Sequence, residues 1–370
     1  MKAINRSISF SILLIVACCF SCDHGGDSGG TGGSEDTQDI GDPELIDDDG
    51  DGAYLPAPGV ALDLIDCDDQ DDSITPANWR YVPAGPFLRG QDGEPGADPQ
   101  REIWLSAYCV QVHEVTVVGY ADYLMQAWAD GQLLVLSEGL ASLDGERWID
   151  TVDIDDEVPE RIIWGEDGVE ILEGYEQHPI NEVTWAGSRA FCVALGGDLP
   201  TEAQWEKAAR GGCELGGDPM VCDEGDTNIW PWGEQEINCD LANYALILAY
   251  DEEGWPYRWD HCVGDTLPVG SNLENLSPYG LTDMAGNISE WVLDLFDEEY
   301  YAESDDTDPA GPETGGFMNP QGEWVDAYVS RGGGWMNADF AATVYARMPE
   351  PTFATSNNLG FRCARTAPGW

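Results

Sequence analysis

The stretch Gly280–Trp291, GLTDMAGNISEW, decides the fold of this chain. It brings two carboxylates, Asp283 and Glu290, into one short run with the amide of Asn287. Neither a helical nor a strand period fits its apolar positions, because Gly286 and Asn287 interrupt the pattern, so we predict a compact loop that turns its backbone inward. Two carboxylates with inward carbonyls suit a hard cation such as Ca²⁺. The alternative is a tight turn in which the same side chains cap local N–H groups.

The charge balance around this stretch is strongly acidic. The 370 residues, enough for one large domain or two smaller ones, carry 71 acids against 15 lysines and arginines, a formal charge of −56. Such a field repels nucleic acid and suits cations or basic partners, so we expect no nucleic-acid partner. The 15 tryptophans and 44 glycines indicate a loop-rich fold held by aromatic packing rather than by long helices.

Residues 1–22 have the layout of a targeting segment, because a basic start is followed by the apolar run Ser7–Ala17, which is too short to span a bilayer. A small residue followed by cysteine is what a bacterial lipoprotein signal requires. Cys18 follows Ala17, and Cys22 stands at the boundary with a polar segment, so either could be lipidated. We expect export and a lipid anchor in the bacterial cell envelope, at the outer membrane or cell surface. A plain secretory signal is the alternative.

Two acidic segments precede the predicted globular domain at 79–370. Residues 23–46 are rich in Gly, Ser and acids and predict a flexible tether. Residues 47–78 alternate acids with glycines and then cluster acids around Cys67. This segment resembles an aspartate-rich metal-binding motif, DxDGDG followed by DCDD, found as tandem repeats in surface proteins of some bacteria, although it has one copy here. A solvated acidic spacer is the alternative. The residues that match, and that would bind calcium, are Asp49, Asp51, Asp66, Asp68 and Asp69.

Five further segments either have a pattern that predicts regular structure or lack one. The run RYVPAGPFLRG (80–90) predicts two strands joined by a turn, and WLSAYCVQVHEVTV (104–117) has a strand composition. Helical spacing covers residues 117–136 and Thr184–Leu195. Residues 137–177 are acidic and weakly patterned, so we predict an insertion over the core.

The segment Leu199–Gly211 carries the clearest helix signals in the chain. Thr201 is a good N-cap, Gln204 stands at the capping-box position, and Gly211 can end the helix. We therefore predict a three-turn helix here.

These elements form part of an ordered series of landmarks. Together they resemble the formylglycine-generating enzyme, or sulfatase-modifying factor, family. The resemblance implies an α+β, C-type-lectin-like fold with little regular secondary structure and bound calcium. It also implies enzymes that oxidise a sulfatase cysteine to formylglycine with O₂ and a copper ion held by two cysteines. The landmarks are HPINEVTW (178–185), FC (191–192), LPTEAQWEKAARGG (199–212), PWG (231–233), AN (242–243), PVGSN (268–272), YGLTDMAGNISEWV (279–292), RGGGW (331–335) and GFRCA (360–364).

The resemblance implies two calcium sites. The first would use side chains and carbonyls of the Gly280–Trp291 loop. The second, which matches less closely, would lie upstream of that loop. The residues implied for the first site are Asp283, Gly286, Ile288 and Glu290. Those implied for the second site are Asn243, Tyr244, Asp260 and Cys262.

The eight cysteines beyond the targeting segment indicate disulfides, since their number is even in a chain that we expect to be exported. The absence of a CxxC pair among these eight argues against a zinc ribbon or a thioredoxin-type site. The resemblance implies one bridge, and two others would be local pairs, which leaves one bridge to tie the acidic segment to the domain. In that order they are Cys192–Cys363, Cys213–Cys222, Cys239–Cys262 and Cys67–Cys109.

The resemblance ends at the catalytic positions. The family enzymes place two cysteines shortly after an RGGS run, but here Gly334 replaces the serine, and Asn337 and Ala342 occupy the cysteine positions. Copper(I) prefers soft thiolates, which an amide and a methyl group do not supply. We therefore expect no copper and no reactive thiol there.

Other kinds of reaction find less support in the sequence. His113 lies in a predicted strand and His178 precedes Pro179, so we predict packing roles for both rather than metal ligation. No Ser-His-Asp set and no phosphate-binding loop is evident.

The sequence therefore favours an envelope protein whose domain binds a ligand and performs no reaction. We expect a peptide, protein or glycan in a cleft near Arg331, Trp335 and Asn337. Two alternatives stay open. One is an oxidoreductase of the same family with a divergent metal site, and the other is a calcium-dependent structural protein of the envelope.

Overall fold

The computed structural model describes most of the chain from residue 61 onward. The described residues are 53, 55, 61–68, 70–71, 73–137, 139–151, 160–216, 222, 227–251, 256–273 and 275–368. All of them belong to one compact unit, residues 43–370. The predictions for Cys18, Cys22, Asp49, Asp51 and Asp69 lie outside the described residues.

The architecture is α+β, with short strands and few helices. The helices of the described residues are α1 (Val117–Ala129), α2 (Trp185–Ala194), α3 (Glu202–Arg210) and α4 (Tyr300–Glu303). Their strands are β1 (Trp79–Val82), β2 (Gly85–Arg89), β3 (Arg101–Leu105), β4 (Tyr108–Gln111), β5 (Leu133–Val135), β6 (Gly139–Ser142), β7 (Arg147–Asp150), β8 (Ile162–Gly165), β9 (Gly168–Ile171), β10 (Ala245–Tyr250), β11 (Pro256–His261), β12 (Ser289–Leu295), β13 (Gly316–Met318), β14 (Trp324–Arg331), β15 (Met348–Pro351), β16 (Leu359–Phe361) and β17 (Ala364–Thr366). Short 3₁₀ turns lie at Leu62–Leu64, Cys213–Leu215 and Asp339–Ala342. Among the residues described, no helix has the length and apolar character needed to cross a bilayer.

The largest sheet joins three of the sequence landmarks. Its strand order is β13-β14-β12-β16, and β15 pairs with β14. Glu290 of β12 lies opposite Arg331 of β14 in an antiparallel pair and opposite Gly360 of β16 in a parallel pair. The runs GNISEW, RGGGW and GFRC, which are far apart in sequence, therefore meet side by side. The smaller sheets are β1-β4-β17, β2-β3, β5-β6-β7, β8-β9 and β10-β11.

Strand β12 lies between the two halves of the hydrophobic core. Trp291 packs with Tyr120 and Phe361 in one half, whereas its neighbour Val292 packs with Trp205 in the other. Successive side chains of a strand point to opposite faces, so one short strand serves both halves. Both Trp291 and Val292 are fully buried.

The predicted helices at the sequence landmarks are confirmed. Helix α2 follows Thr184, whose hydroxyl accepts a hydrogen bond from the Gly187 N–H at 3.1 Å. Helix α3 has the predicted capping box: Thr201 Oγ1 accepts from the Gln204 N–H at 3.2 Å, and Gln204 Oε1 accepts from the Thr201 N–H at 2.9 Å. It ends at Gly211, which has a positive φ of 98°.

Two secondary-structure predictions need correction. The helix predicted over 117–136 stops at Ala129, because Gly131 takes a positive φ of 70° and the chain turns into β5. The loop predicted over Gly280–Trp291 ends earlier, since Ser289 begins β12. In both places a pairing strand replaces the structure that the local pattern favoured.

Segments on both sides of the expected domain boundary contribute to the core. In the predicted insertion, Leu140 and Ile149 are buried, so this part of the chain does more than cover the core. Before residue 79, Ile65 and Ile74 are buried as well, and Asp68 forms an ion pair with a C-terminal arginine, Arg365, at 2.7 Å. The folded unit therefore includes part of the acidic segment.

All eight cysteines that the structure describes are paired, in the combination that the sequence analysis expected. The bridge between α2 and the segment that joins β16 to β17 spans 171 residues of sequence, the largest separation of the four. No described cysteine is left with a free thiol. The pairs are Cys67–Cys109, Cys192–Cys363, Cys213–Cys222 and Cys239–Cys262.

Candidate functional site

The loop before β12 turns inward, as predicted. Asp283, Gly286 and Asn287 all have positive φ values, of 57°, 81° and 65°. Gly286 is required at its position, because a Cβ there would lie 2.6 Å from the carbonyl oxygen of Asn243. Every residue from 281 to 292 is buried. The polar side chains of this loop are therefore held inside the protein, where each needs a partner.

Glu290 has its partners within the protein. Its carboxylate accepts from Arg362 through both oxygens, at 2.7 Å each, and Oε2 also accepts from the Trp205 Nε1–H at 2.8 Å. Both Glu290 and Arg362 are fully buried. A calcium ion at Glu290 would have to share these oxygens with Arg362, and the calcium assignment of Glu290 stays a prediction.

Glu114 is a site residue that the sequence reasoning missed. It is 2% exposed, and one of its oxygens accepts from the side-chain amide of Asn287 at 3.1 Å. Burial raises the pKa of Glu114 well above its usual range, and the nearby carboxylate of Asp283 raises it further. An acid inside the apolar run VQVHEVTV was the available signal, because such a run predicts burial.

Asp283 completes a group of three buried carboxylates. Its Oδ2 accepts from the Gly270 N–H at 2.7 Å, and burial raises the pKa of the Asp283 carboxyl. The electrostatic neighbours of Glu114 are Asp283, Glu290 and Arg362, so three acids surround one guanidinium. This imbalance is what a bound cation would neutralise. We call Glu114, Asp283 and Glu290, with Arg362, the buried acid cluster.

The buried acid cluster offers carboxylate and amide oxygens, the ligand type of a hard cation, and calcium binding there stays a prediction. Within the described part of the chain, no three His, Cys, Asp or Glu side chains are arranged to hold a metal by themselves. Calcium does not need such a set, because it accepts neutral carbonyl and amide oxygens. The residues present therefore fit calcium better than a metal that requires thiolate or imidazole ligands.

The second predicted site contains one atom that fits a cation. Asn243 Oδ1 is buried and accepts no hydrogen bond from the described residues, while its Nδ2 donates to the Asp265 carbonyl at 2.7 Å. The Tyr244 carbonyl accepts from the Cys262 N–H at 3.1 Å, so these two predicted residues are adjacent. Asp260 is exposed on β11, and its carboxylate accepts from the neighbouring backbone N–H. Asn243 instead contacts the backbone carbonyl of Asp265, whose carboxylate pairs with Arg161 at 2.6 Å.

The two described members of the aspartate-rich motif have protein partners. Asp66 is fully buried, and its Oδ1 accepts from the Asp68 N–H at 2.9 Å. Asp68 pairs with Arg365 at 2.7 Å. Calcium binding by this motif stays a prediction.

Arg331 does not line a cleft, and this prediction was wrong. The side chain is fully buried and pairs with Glu206 at 2.6 Å and with Glu202 at 3.4 Å. It also donates to the carbonyl of Val344 at 2.7 Å. Arg331 joins β14 to α3 inside the protein, where a ligand does not reach it.

The position of the family's first copper cysteine is filled by a hydrogen-bonded amide. Asn337 Oδ1 accepts from Ser289 Oγ at 3.1 Å, from the Gly334 N–H at 2.9 Å and from Asn358 Nδ2 at 2.6 Å. A Cβ on Gly334 would lie 2.3 Å from Asn358 Oδ1, so the family's serine does not fit without rearrangement. Ala342, at the second cysteine position, is buried.

Trp335 is buried beside this region. Its side chain is 5% exposed, its Nε1–H donates to the Asn357 carbonyl at 3.3 Å, and its ring centre lies 5.6 Å from that of His261 on β11. The Ala245 N–H of β10 donates to the Asn337 carbonyl at 2.8 Å. The hairpin of β10 and β11 therefore runs beside the segment in which the family holds its copper.

His113 and His178 are packed against neighbouring residues and each contacts a hydroxyl group. His113 Nδ1 lies 2.7 Å from Thr282 Oγ1, and burial, followed by Arg362, lowers the pKa of His113 to about 4. His178 Nδ1 lies 2.9 Å from Thr266 Oγ1, and burial lowers its pKa also. Both rings are therefore neutral at pH 7 and pair with a neighbouring hydroxyl.

Comparison with protein families finds one match that covers most of the chain. Residues 69–367 match the family model of the sulfatase-modifying factor enzyme 1-like domain. The match includes the buried acid cluster, the Asn337 region and the hairpin of β10 and β11. It begins within the acidic segment and ends at β17.

Three relatives show the range of proteins that share this domain. The chain is 35% identical over 199 residues to the formylglycine-generating enzyme of Streptomyces coelicolor, covering 53% of this chain and 55% of that protein. It is 29% identical over 290 residues to the serine/threonine-protein kinase pkn1 of Chlamydia caviae, covering 77% and 37%. It is 27% identical over 315 residues to the inactive C-alpha-formylglycine-generating enzyme 2 of Mus musculus, covering 78% and 85%. The chain thus spans about half or less of the length of the first two relatives.

Proposed function

The chain belongs to the sulfatase-modifying factor enzyme 1-like family, and we propose that it is a member that binds a ligand and does not form formylglycine. Membership brings with it the C-type-lectin-like fold expected from the sequence. The family includes proteins named as active enzymes and proteins named as inactive. Which kind this chain is depends on the residues of the site, because a shared fold does not determine function.

The observation that carries the proposal is the Asn337 region. Copper(I) requires soft ligands, and Asn337 and Ala342 offer none. The eight described cysteines, which could supply thiolates elsewhere, are all in disulfides. The side-chain oxygen of Asn337 also accepts three hydrogen bonds, so the neighbouring residues are arranged to bind an amide at this position. The residues present do not fit a family-type copper centre.

The ligand would be a peptide, a protein or a glycan at the surface of the cell envelope. The targeting segment, with Cys18 or Cys22 as the lipidated residue, supports export and a membrane anchor. The strongly acidic charge supports a ligand that is neutral or basic. With Arg331 and Trp335 both buried, the half-buried Asn337 is the predicted cleft residue that reaches the surface.

Calcium would serve this protein as a structural ion. Asp283 and Glu114, together with the oxygens around Glu290, would hold it in the buried acid cluster, and Asn243 would hold a second ion. The excess of buried carboxylates and the unpaired Asn243 Oδ1 support this assignment. The ion would supply positive charge to a region that now has one guanidinium for three acids.

Removal of calcium is expected to destabilise the domain. A ligand present at 100 to 1,000 times its Kd stabilises the folded state by about 3–4 kcal/mol. We therefore expect the thermal midpoint to fall when a calcium chelator is added. The midpoint of Asp283→Ala should be lower from the start and should respond less to the chelator. A midpoint that the chelator leaves unchanged would show that the loop needs no ion.

The copper assignment is tested by restoring the missing ligands. The unmodified protein should not compete with a Cu(I) chelator for the metal, whereas Asn337→Cys with Ala342→Cys should gain Cu(I) binding, because thiolates select this ion. The matched control is Met336→Cys with Phe340→Cys, two exposed positions of the same segment. Equally tight Cu(I) binding by the unmodified protein would contradict the proposal.

A further inference from the structure

The hairpin of β10 and β11 forms a sheet of two strands with open edges. Within the described residues, no third strand pairs with it. An isolated parallel bridge between Ala245 and Ala338 ties the start of β10 to the body of the protein. Among the described residues, the outer edge of β11 has no strand partner. Such an edge presents backbone donors and acceptors to another strand, although the His261 N–H there already donates to Asp260 Oδ1 at 2.9 Å.

The backbone of Trp259 points toward this open edge. The Cys262 N–H donates to the Tyr244 carbonyl at 3.1 Å, which identifies these two residues as a hydrogen-bonded pair. In antiparallel sheets, hydrogen-bonded and non-hydrogen-bonded pairs alternate. The register is regular from Ala245 to Ile247 and shifts beyond Ile247, and counting along its regular part makes Ile247 and Trp259 a non-hydrogen-bonded pair. The N–H and C=O of Trp259 are therefore directed away from β10.

The side chain of Trp259 continues an apolar face. It shares that face with His261, two residues along the strand, whose ring contacts Trp335. Trp259 itself is 43% exposed, so the face extends from the body of the protein into solvent. Other large apolar side chains of the hairpin and of the segment beside it are also exposed, namely Leu248, Tyr250, Met336 and Phe340. Exposed apolar side chains are therefore concentrated on the hairpin and on the segment that the Ala245–Ala338 bridge joins to it.

The surroundings of this face are acidic. The described residues of 234–261 contain five acids and a single arginine, Arg258. Asp260 and Asp339 are exposed close to the face. After burial, the charge of Asp339 contributes to the raised pKa of Tyr244. Electrostatic complementarity therefore favours an occupant that carries positive charge.

We infer that the outer edge of β11 binds an extended, basic peptide segment by strand addition, with apolar side chains of that segment packed on Trp259. This inference rests on the proposed binding function and names the class of its ligand. Backbone pairing along β11 provides affinity, and alternate apolar and basic side chains provide specificity. The apolar ones meet Trp259, and the basic ones meet the surrounding carboxylates.

The inference is tested with a defined probe, an acetylated octapeptide of alternating arginine and leucine. We expect it to bind, and an otherwise identical peptide with glutamate in place of arginine to bind at least about tenfold more weakly. Trp259→Ala should weaken binding by about tenfold, a change of about 1.4 kcal/mol. The matched control is Trp324→Ala, because Trp324 is also an exposed strand residue, 59% exposed, on β14.

Two measurements separate strand addition from non-specific attraction to an acidic protein. The first measurement uses two methylated forms of the probe, one with methyl groups on the leucine amide nitrogens and one with them on the arginine amide nitrogens. Only one of these two forms should lose binding, since a strand pairs through alternate amides. Hydrogen exchange should show that the probe protects the Trp259 amide. Equal effects of the two methylation patterns, equal effects of Trp259→Ala and Trp324→Ala, or no binding at about 1 mM peptide would each overturn the inference. A glycan that binds through Trp259 while the peptide does not would also overturn it and would leave the proposed binding function intact. Formylglycine formation would contradict that function instead.

Discussion

Replacing Arg362 by methionine is expected to destabilise the protein by about 3–5 kcal/mol, the cost of removing one partner of a buried ion pair. Arg362 is fully buried and contacts both oxygens of Glu290. It also donates to the carbonyls of Gln111, Val112 and Thr282, so it joins β12, β16 and the segment after β4. Without it, the three carboxylates of the buried acid cluster lose the one guanidinium among them. Urea denaturation, with the free energy of unfolding extrapolated to water, measures the loss.

Two further variants show whether uncompensated charge is the cause. Adding Glu290→Gln to Arg362→Met should recover part of the loss, because it removes one of the unpaired charges. Arg189→Met is the matched control, since Arg189 forms an exposed pair with Asp198 at 2.9 Å, and such a pair contributes less than about 1 kcal/mol. If Arg362→Met cost no more than Arg189→Met, the buried acid cluster would not hold the fold together.

Loss of the bridge between Cys192 and Cys363 is expected to cost about 5 kcal/mol. The bridge closes a loop of 171 residues, and the chain-entropy model assigns a larger contribution to longer loops. The variant is Cys192→Ala with Cys363→Ala, and the measurement is the free energy of unfolding under oxidising conditions. Both cysteines are fully buried, so the lost packing adds to the cost.

The matched control for this bridge is Cys239→Ala with Cys262→Ala. That pair is separated by 23 residues, for which the same model gives about 3 kcal/mol. The longer bridge should therefore be the more costly to remove. An equal or smaller cost for the longer bridge would mean that loop closure does not explain its contribution.

Elements defined by local chemistry were predictable from the sequence. Helix α3 forms as expected because Thr201 and Gln204 cap it within a single turn and Gly211 ends it. The inward loop was predictable because Gly286 and Asn287 interrupt every regular period. These signals act between residues close in sequence, so they do not depend on the rest of the fold.

The partners of the charged side chains were not predictable, because those partners are distant in sequence. Arg331 ends β14 in the segment where we expected a cleft, but its side chain pairs with Glu206 inside the core. Glu290 pairs with Arg362, and the Glu114 carboxylate, which bonds Asn287, comes from the segment between β4 and α1. Which acid pairs with which arginine is decided only by the three-dimensional arrangement.

The most direct test of the proposed function is an assay of formylglycine formation. The unmodified protein is incubated with a sulfatase-type cysteine peptide, O₂, a reductant and Cu(I), and mass spectrometry follows conversion of the thiol to an aldehyde. The formylglycine-generating enzyme of Streptomyces coelicolor, a relative at 35% identity, is the positive control. We predict no aldehyde, because Asn337 and Ala342 supply no thiolate and the described cysteines are all in disulfides. Aldehyde formed in multiple turnovers by the unmodified protein would contradict this account and would show that the domain is an enzyme.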